Sequence, residues 1–294
     1  MKINCVVVTY NRLTLLKENL NMLGKQTYPI NKIIVVDNSS TDGTTEYLKQ
    51  YANDPLFTII TTDKNVGGAG GFSIGLKASV LNGCDYSWVM DDDTIPLENS
   101  VEELIPAIEQ HDNIGFICSK VKWTDNSIHE MNRPKLEKDD DTCAYPRCRT
   151  CSFVGALIST KAVLKVGLPI KEFFIWCDDV EYTERIYLAG FNCYYAPKSV
   201  VIHKSRSNYF PSIDRAPKEM AGRFYFQARN TCYLKRRTCS SKIIFYFAVL
   251  NKYRVYLHRL KRRDKSERAV FLEAIKKGCI DGLKFNPQIE FVNL

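Results

Sequence analysis

No apolar run in these 294 residues approaches the roughly 20 that a membrane-spanning helix requires; the longest, residues 243–250, holds eight. The chain is therefore not expected to cross a bilayer. Its start, MKINCVVVTY, lacks the charged-then-apolar leader of a secreted protein. The eleven cysteines are accordingly expected to be reduced thiols of a cytoplasmic protein rather than a disulfide framework. Cys143, Cys148, Cys151 and Cys177 lack the paired C-x-x-C spacing and nearby histidines of a structural zinc site, and Cys148 with Cys151 does not make one alone. Internal repeats and low-complexity tracts are missing too, which excludes solenoid and fibrous architectures. A composition 45% hydrophobic and 25% charged fits one large globular domain or two small ones.

The formal net charge of +8 is unevenly spread. Residues 1–203 hold 20 Lys and Arg against 26 Asp and Glu, whereas residues 204–294 hold 21 against 7. A basic tail on an acidic body implies a polyanionic partner for the tail and separate chemistry in the body. In that body, β-branched runs at 3–8, 33–36 and 57–61 alternate with helical patterns, the rhythm of a parallel sheet covered on both faces. A helix is predicted over 69–81, a strand over 86–90, a helix over 98–109 and a strand over 114–119. Residues 124–150 lose periodicity and gather charge, which predicts a long functional loop. Order returns over 153–159, followed by a helix over 180–189 stopping at Gly190 and short strands over 193–196 and 199–203. The text turns aromatic and basic from about residue 205, where the domain boundary is predicted.

Several clusters could carry chemistry. YSWVMDDD ends a strand in three carboxylates, and alternation sends Asp91 and Asp93 the same way. Hard oxygen donors at the carboxyl end of a parallel strand suit Mg²⁺ or Mn²⁺ holding a diphosphate; a turn or helix cap is the commoner account of such a triplet taken alone. DNSSTDG follows the strand IIVV, so Asp37 could accept a pyrimidine ring N–H, while Ser40 or Thr41 would cap the next helix. NVGGAGG lets backbone approach a ligand closely, or is plain loop geometry. In FFIWCDDVEYTERI, aromatics precede Asp178 and Asp179 at a helix start, where a carboxylate could act as general base or simply cap. His203, one of four histidines, ends a strand, and a structural role is the ordinary expectation for it.

Taken in order, VVVTYNR, IIVVDNSSTDGT, NVGGAGGFSIGLK, WVMDDD, FVGALIS, FFIWCDDVEYTERI and His203 resemble the landmarks of inverting family 2 glycosyltransferases over residues 3–205. The resemblance implies a GT-A fold, an α/β sheet, mixed but mostly parallel and flanked by helices, as the catalytic domain over 1–205, followed by a helical region over 206–294. It implies nucleotide-sugar contacts from Thr9, Asn11, Asp37, Asn65, Gly67, Gly68, Gly71 and Asp92. It further implies a Mn²⁺ or Mg²⁺ cofactor on Asp91, Asp93 and His203, and Asp179 as the base beside an acceptor site of Trp176 and Asp178. The DDD triplet, the Trp before the Asp pair, the distal histidine and the basic tail look most like bacterial galactofuranosyltransferases and rhamnosyltransferases. That makes UDP-galactofuranose the expected donor and dTDP-rhamnose the alternative, although Cys177 stands between Trp176 and Asp178 where close galactofuranosyl enzymes have tryptophan directly before the pair.

The tail, RFYFQARNTCYLKRR then KIIFYFAVLNKYRVYLHRLKRR, interleaves rings with cations. It suits a helix lying on an anionic bilayer, or a helical subdomain burying Phe245, Leu250, Tyr253 and Leu257; no nucleic-acid module is present, so no nucleic-acid partner is expected. The expected setting is cytoplasmic, peripheral at the inner face of the plasma membrane, with a lipid-linked glycan as acceptor. A catalytically silent nucleotide-binding scaffold of the same fold stays open. A sugar nucleotidyltransferase is disfavoured by the missing Gly-rich, Arg/Lys-containing loop near the start.

Overall fold

The computed structural model describes residues 1–137, 143–209 and 211–293. Residues 138–142 of the predicted 124–150 loop thus lie outside the described residues. The chain forms two compact units: Met1–Lys171 with Asp179–Tyr209 and Ile289–Leu294, and Glu172–Asp178 with Phe210–Gln288.

In the first unit, periodicity translates into β1 (Ile3–Thr9), α1 (Leu13–Leu23), β2 (Lys32–Asp37), α2 (Thr44–Leu48), β3 (Phe57–Thr61), α3 (Gly67–Leu81) and β4 (Tyr86–Asp91). There follow β5 (Thr94–Pro96), α4 (Ile105–Gln110), β6 (Ile114–Lys122), β7 (Lys135–Leu136), β8 (Cys148–Thr150), β9 (Ala156–Ser159), α5 (Thr160–Val166), α6 (Asp178–Leu188) and β10 (Asn192–His203). Eight strands make one sheet in the order β3-β2-β1-β4-β9-β6-β10-β5, and β7 pairs with β8 apart from it. The pairs β1–β2, β1–β4, β2–β3 and β6–β10 are parallel; β9 runs antiparallel to β4 and β6, and β5 antiparallel to β10.

Every residue of β1 is buried. Alternation sends Ile3, Cys5 and Val7 into the apolar cluster with α1, and Val6 and Val8 into the opposite cluster with α3. The sheet is therefore sandwiched, and α3 lies close because it has glycine where a side chain would collide. A Cβ on Gly75 would stand 2.3 Å from Val6 Cγ1, and one on Gly71 2.5 Å from Val8 Cγ1.

Local predictions shift where proline and glycine intervene. The strands expected over 193–196 and 199–203 are one strand, β10, whose register slips between Ala196 and Val200 around Pro197, a residue without an N–H for the ladder. The helix expected over 98–109 is a 3₁₀ turn at Glu102–Leu104 and the short α4. The expected cap at Ser40 or Thr41 is instead Gly43, at φ 90°, while Asp42 accepts from Thr44 N at 3.1 Å. Cys148 lies beside Cys118 (Sγ–Sγ 3.8 Å), and no disulfide links any of the cysteines.

The second unit holds α7 (Ala221–Thr238), α8 (Lys242–Leu260) and α9 (Lys265–Gly282). Its core interleaves Phe224, Ala228 and Cys232 with Phe245, Val249, Tyr256 and Leu260 and with Phe271, Ile275 and Cys279. Of the inward face expected for α8, Phe245 is buried and Tyr253 and Leu257 pack half-buried against this core, whereas Leu250 is 43% exposed; Val249, Tyr256 and Leu260 complete the buried stripe. Among the described residues no helix is long and apolar enough to cross a membrane.

Candidate active site

Strand register assembles the first part of the site. Thr9 pairs with Asp37 and Val8 with Asp91, so three strand ends meet at one edge and Asp92 comes to rest beside Thr9. Thr9 Oγ1 donates to Asp92 Oδ2 at 2.7 Å and Tyr10 N to the same oxygen at 3.3 Å. The antiparallel pairing of His203 with Thr94 delivers His203 to Asp93, with Nε2 3.2 Å from Oδ1, and Lys204 N donates to Asp93 O at 2.8 Å. Arg12 ion-pairs with Asp93 Oδ2 and lies 3.6 Å from Asp92 Oδ1.

The two carboxyls respond in opposite ways. Burial pushes Asp92 up to about 7 against the pull of Arg12, with the charge of Asp93 adding to the rise. Burial would raise Asp93 too, but hydrogen bonding to His203, then the charges of His203 and Arg12, bring it down to about 2.

Whether these residues suit a divalent metal turns on one buried atom. Asp93 Oδ1 is buried, and the group it faces is His203 Nε2, 3.2 Å away. The other ring nitrogen, Nδ1, lies 2.8 Å from Asn132 Oδ1, which fixes the ring with Nε2 toward the carboxylate. With its proton on Nδ1, the imidazole would present Nε2 beside Oδ1 as two donors for a cation. A metal therefore fits Asp93 and His203 as a pair. Among the described residues no group of three or more His, Cys, Asp or Glu side chains gathers at one point. Asp91 ends β4 half-buried, and Arg12 supplies positive charge on the other side of Asp93.

The remaining nucleotide-side residues of the first unit stitch its loops. Asn11, at φ 53°, accepts from Thr41 N at 2.7 Å through Oδ1, and its own N–H donates to Ser40 Oγ at 2.9 Å. Asp37 is fully buried; Oδ1 accepts from Ser40 N at 3.0 Å and Oδ2 from Thr45 Oγ1. Asn65 Oδ1 accepts from Gly67 N at 2.8 Å, closing the turn into α3, and Gly67 takes φ 76°. Gly68 faces open space, whereas Gly71 lies against Val8 and Asn38, so its missing side chain serves helix–sheet packing.

Asp179 is in this unit as well, half-buried in the first turn of α6, with Val180 N donating to Oδ1 at 2.7 Å. Burial lifts its carboxyl to about 6. Trp176 and Asp178 belong to the second unit. Phe174, Trp176 and Cys177 all take left-handed φ values, of 65°, 64° and 68°, a conformation that non-glycine residues adopt only under constraint.

Sequence reasoning missed Arg12, Asn38, His129 and Asn132. Arg12 stood inside a quoted motif, and three adjacent carboxylates needing a cation were its signal. His129 and Asn132 fell in a segment read as loop: His129 stacks on His203 (centroids 4.5 Å), its Nε2 is 2.8 Å from Ser205 Oγ, and burial then the His203 charge bring it down to about 4.

Parallel strands ending on buried carboxylates, beside a glycine-opened helix, define an α/β ligand-binding edge. The glycosyl transferase family 2 model matches residues 5–167, and the chain belongs to that family; it is a glycosyltransferase. Galactofuranosyltransferase GlfT1 of Mycobacterium tuberculosis is 26% identical over 220 residues, 71% of this chain and 72% of its own. GlfT1 of Mycolicibacterium smegmatis is 25% identical over 299 residues, 90% of this chain and 97% of its own. Among solved structures, S. aureus TarS in complex with UDP-GlcNAc has a TM-score of 0.62 at 16% identity, covering 95% of this chain and 80% of that one. The mannosyltransferase PcManGT from Pyrobaculum calidifontis, in complex with GDP-Man and Mn²⁺, has a TM-score of 0.60 at 15% identity over 96% and 87%. The fold is GT-A, with helices following the sheet.

Proposed function

We propose that the protein is a metal-dependent inverting glycosyltransferase that moves galactofuranose from UDP-galactofuranose to a hydroxyl of a growing, lipid-linked bacterial surface glycan. The observation that carries the donor is the extent of similarity to galactofuranosyltransferases, which runs over 90% of the chain and so continues past the family match ending at residue 167.

In this reading Asp179 accepts the proton of the acceptor hydroxyl as its oxygen attacks the anomeric carbon, and the nucleoside diphosphate leaves from the opposite face, inverting configuration. A carboxyl lifted to about 6 suits the task, since it is ionised at neutral pH yet holds a proton better than an exposed aspartate. Thr9 and the Tyr10 N–H orient Asp92, and the Asn11–Thr41 bond fixes the loop around Asp37, where a uracil ring N–H is bound. Asp93 and His203 would hold a Mn²⁺ or Mg²⁺ ion, with diphosphate oxygens and water completing its shell. Such an ion supplies positive charge for the departing diphosphate.

We further infer that the second unit meets an anionic membrane through α8. Ile243, Ile244, Tyr246, Phe247 and Leu250 are exposed on it, Phe247 at 68%, in a stretch carrying 21 Lys and Arg against 7 Asp and Glu.

Calorimetry with UDP, dTDP and GDP, each with and without Mn²⁺, tests donor and metal together. Metal-dependent preference for UDP is expected. Preference for dTDP favours rhamnosyl transfer, and no metal-dependent binding of any of the three overturns the Asp93–His203 site and turns attention to a silent scaffold.

A further inference from the structure

Within the second unit, the segment before Asp178 is held from α7 by two adjacent side chains. Asn230 is fully buried and its Nδ2 donates to Phe173 O at 3.0 Å, Ile175 O at 3.2 Å and Trp176 O at 2.9 Å. Arg229 Nη2 donates to Glu172 O and to Phe173 O at 3.2 Å. Of the five carbonyls over 172–176, four therefore accept from this pair. The guanidinium also donates to Asn230 Oδ1, from Nε at 3.1 Å and Nη2 at 3.0 Å, which polarises the carboxamide toward stronger donation. Arg229 is itself seated over the Phe285 ring, 4.0 Å from its centroid.

The remaining residue, Phe174, is the centre of a tight turn in which Ile175 N donates to Phe173 O at 2.7 Å, at its left-handed φ of 65°. Its ring stacks on Phe226 (4.7 Å, 18°), and the half-buried Trp176 ring stands edge-on to Phe224 (5.2 Å, 79°). Carbonyls turned toward Asn230 and rings packed on two phenylalanines of the same helix hold the strained backbone in this conformation.

We propose that Asn230, polarised by Arg229, is a positioning residue for acceptor recognition: it fixes the 172–177 backbone so that the Trp176 ring forms a rigid platform for a sugar of the acceptor glycan. This rests on reading Asp179, three residues beyond Trp176, as the base of glycosyl transfer. Its role is distinct from donor binding, which belongs to strand ends of the first unit.

The test uses the full chain and two variants, Asn230→Asp, which keeps the shape but sets a carboxylate against three carbonyls, and Asn230→Ala. Three quantities are read: amide hydrogen exchange of residues 172–178, UDP affinity, and kcat and KM toward an octyl galactofuranosyl disaccharide with UDP-galactofuranose. Faster exchange confined to 172–178, UDP affinity within about twofold of wild type, and acceptor kcat/KM lowered roughly 10- to 100-fold are expected, the range seen when a reacting group is displaced by about an ångström. Unchanged exchange overturns the proposal, as does faster exchange with unchanged acceptor kcat/KM, or loss of UDP affinity in step with activity. Should wild type bind UDP yet transfer no galactofuranose, the donor reading fails by itself; Asn230 is then judged by exchange and by Trp176 fluorescence on titrating the same disaccharide, and a response identical in wild type and Asn230→Asp overturns it.

Discussion

Burial gives the Asp179 carboxyl a value of about 6, and the sign of that shift reaches both activity and stability. Under the proposed displacement the carboxylate is the active form, so acceptor transfer should fall about tenfold per pH unit below 6 and level off above it. A native-state value above the unfolded one means the folded chain binds this proton more tightly. The stabilisation is complete below the unfolded value of about 4 and lost as pH rises through about 6. Asp179→Asn should therefore abolish transfer, keep UDP affinity, and melt a few degrees above wild type at pH 8 with the gap closing at pH 4. Full transfer by this variant would remove Asp179 from the mechanism. Thr9, Asp37 and Asp91 could be placed at neighbouring strand ends from sequence because parallel strands end in register, so a motif at one strand end predicts its neighbours. Arg12, Asn132 and Asn230 could not. Their partners lie 81, 71 and 54 to 57 residues away, and no local period records such a pairing.

The glycines of α3 divide by what a methyl group would meet. On Gly75 it would stand 2.3 Å from Val6 Cγ1 and 3.2 Å from Val36 Cγ2, both on buried strands that cannot retreat, while on Gly68 nothing lies within 4 Å. Gly75→Ala should cost about 1–3 kcal/mol in urea unfolding despite the better helix propensity of alanine. Gly68→Ala should be neutral or gain up to about 1 kcal/mol. If the backbone at Gly68 approaches the nucleotide, that second variant will also bind UDP more weakly, so a stability gain without an affinity loss would remove Gly68 from the pocket. Helix α3 itself was legible within two residues of its start. The antiparallel insertion of β9 between β4 and β6 was not, since a buried strand reads alike in either direction; of the ordered segment expected over 153–159, Ala156–Ser159 is the strand.

Over the whole molecule, average composition located the change near residue 205 but could not see the chain exchanging segments. Glu172–Asp178 joins the second unit because Asn230 and Arg229 take up its carbonyls. Residues 289–294 return to the first because Leu168 N donates to Glu290 O at 2.8 Å and Glu290 bridges Lys77 and Lys171. What composition did capture is the charge contrast, and with it a surface prediction. An apolar stripe from Ile243 to Leu250, set in a basic unit, should bind vesicles of phosphatidylglycerol and phosphatidylcholine but not phosphatidylcholine alone. Removing the most exposed of its aromatic rings with Phe247→Ser, which leaves the buried Phe245, Val249, Tyr256 and Leu260 stripe intact, should weaken that binding about tenfold or more, from roughly 1.5–3 kcal/mol of lost apolar transfer. Raising salt from 0.1 to 0.5 M should weaken it further by screening the cations. Rings and charges act independently in this picture, so the salt dependence should survive in the Phe247→Ser protein. Vesicle binding indifferent to both changes would leave α8 with packing as its whole role, and the exposed stripe would need a protein partner to explain it.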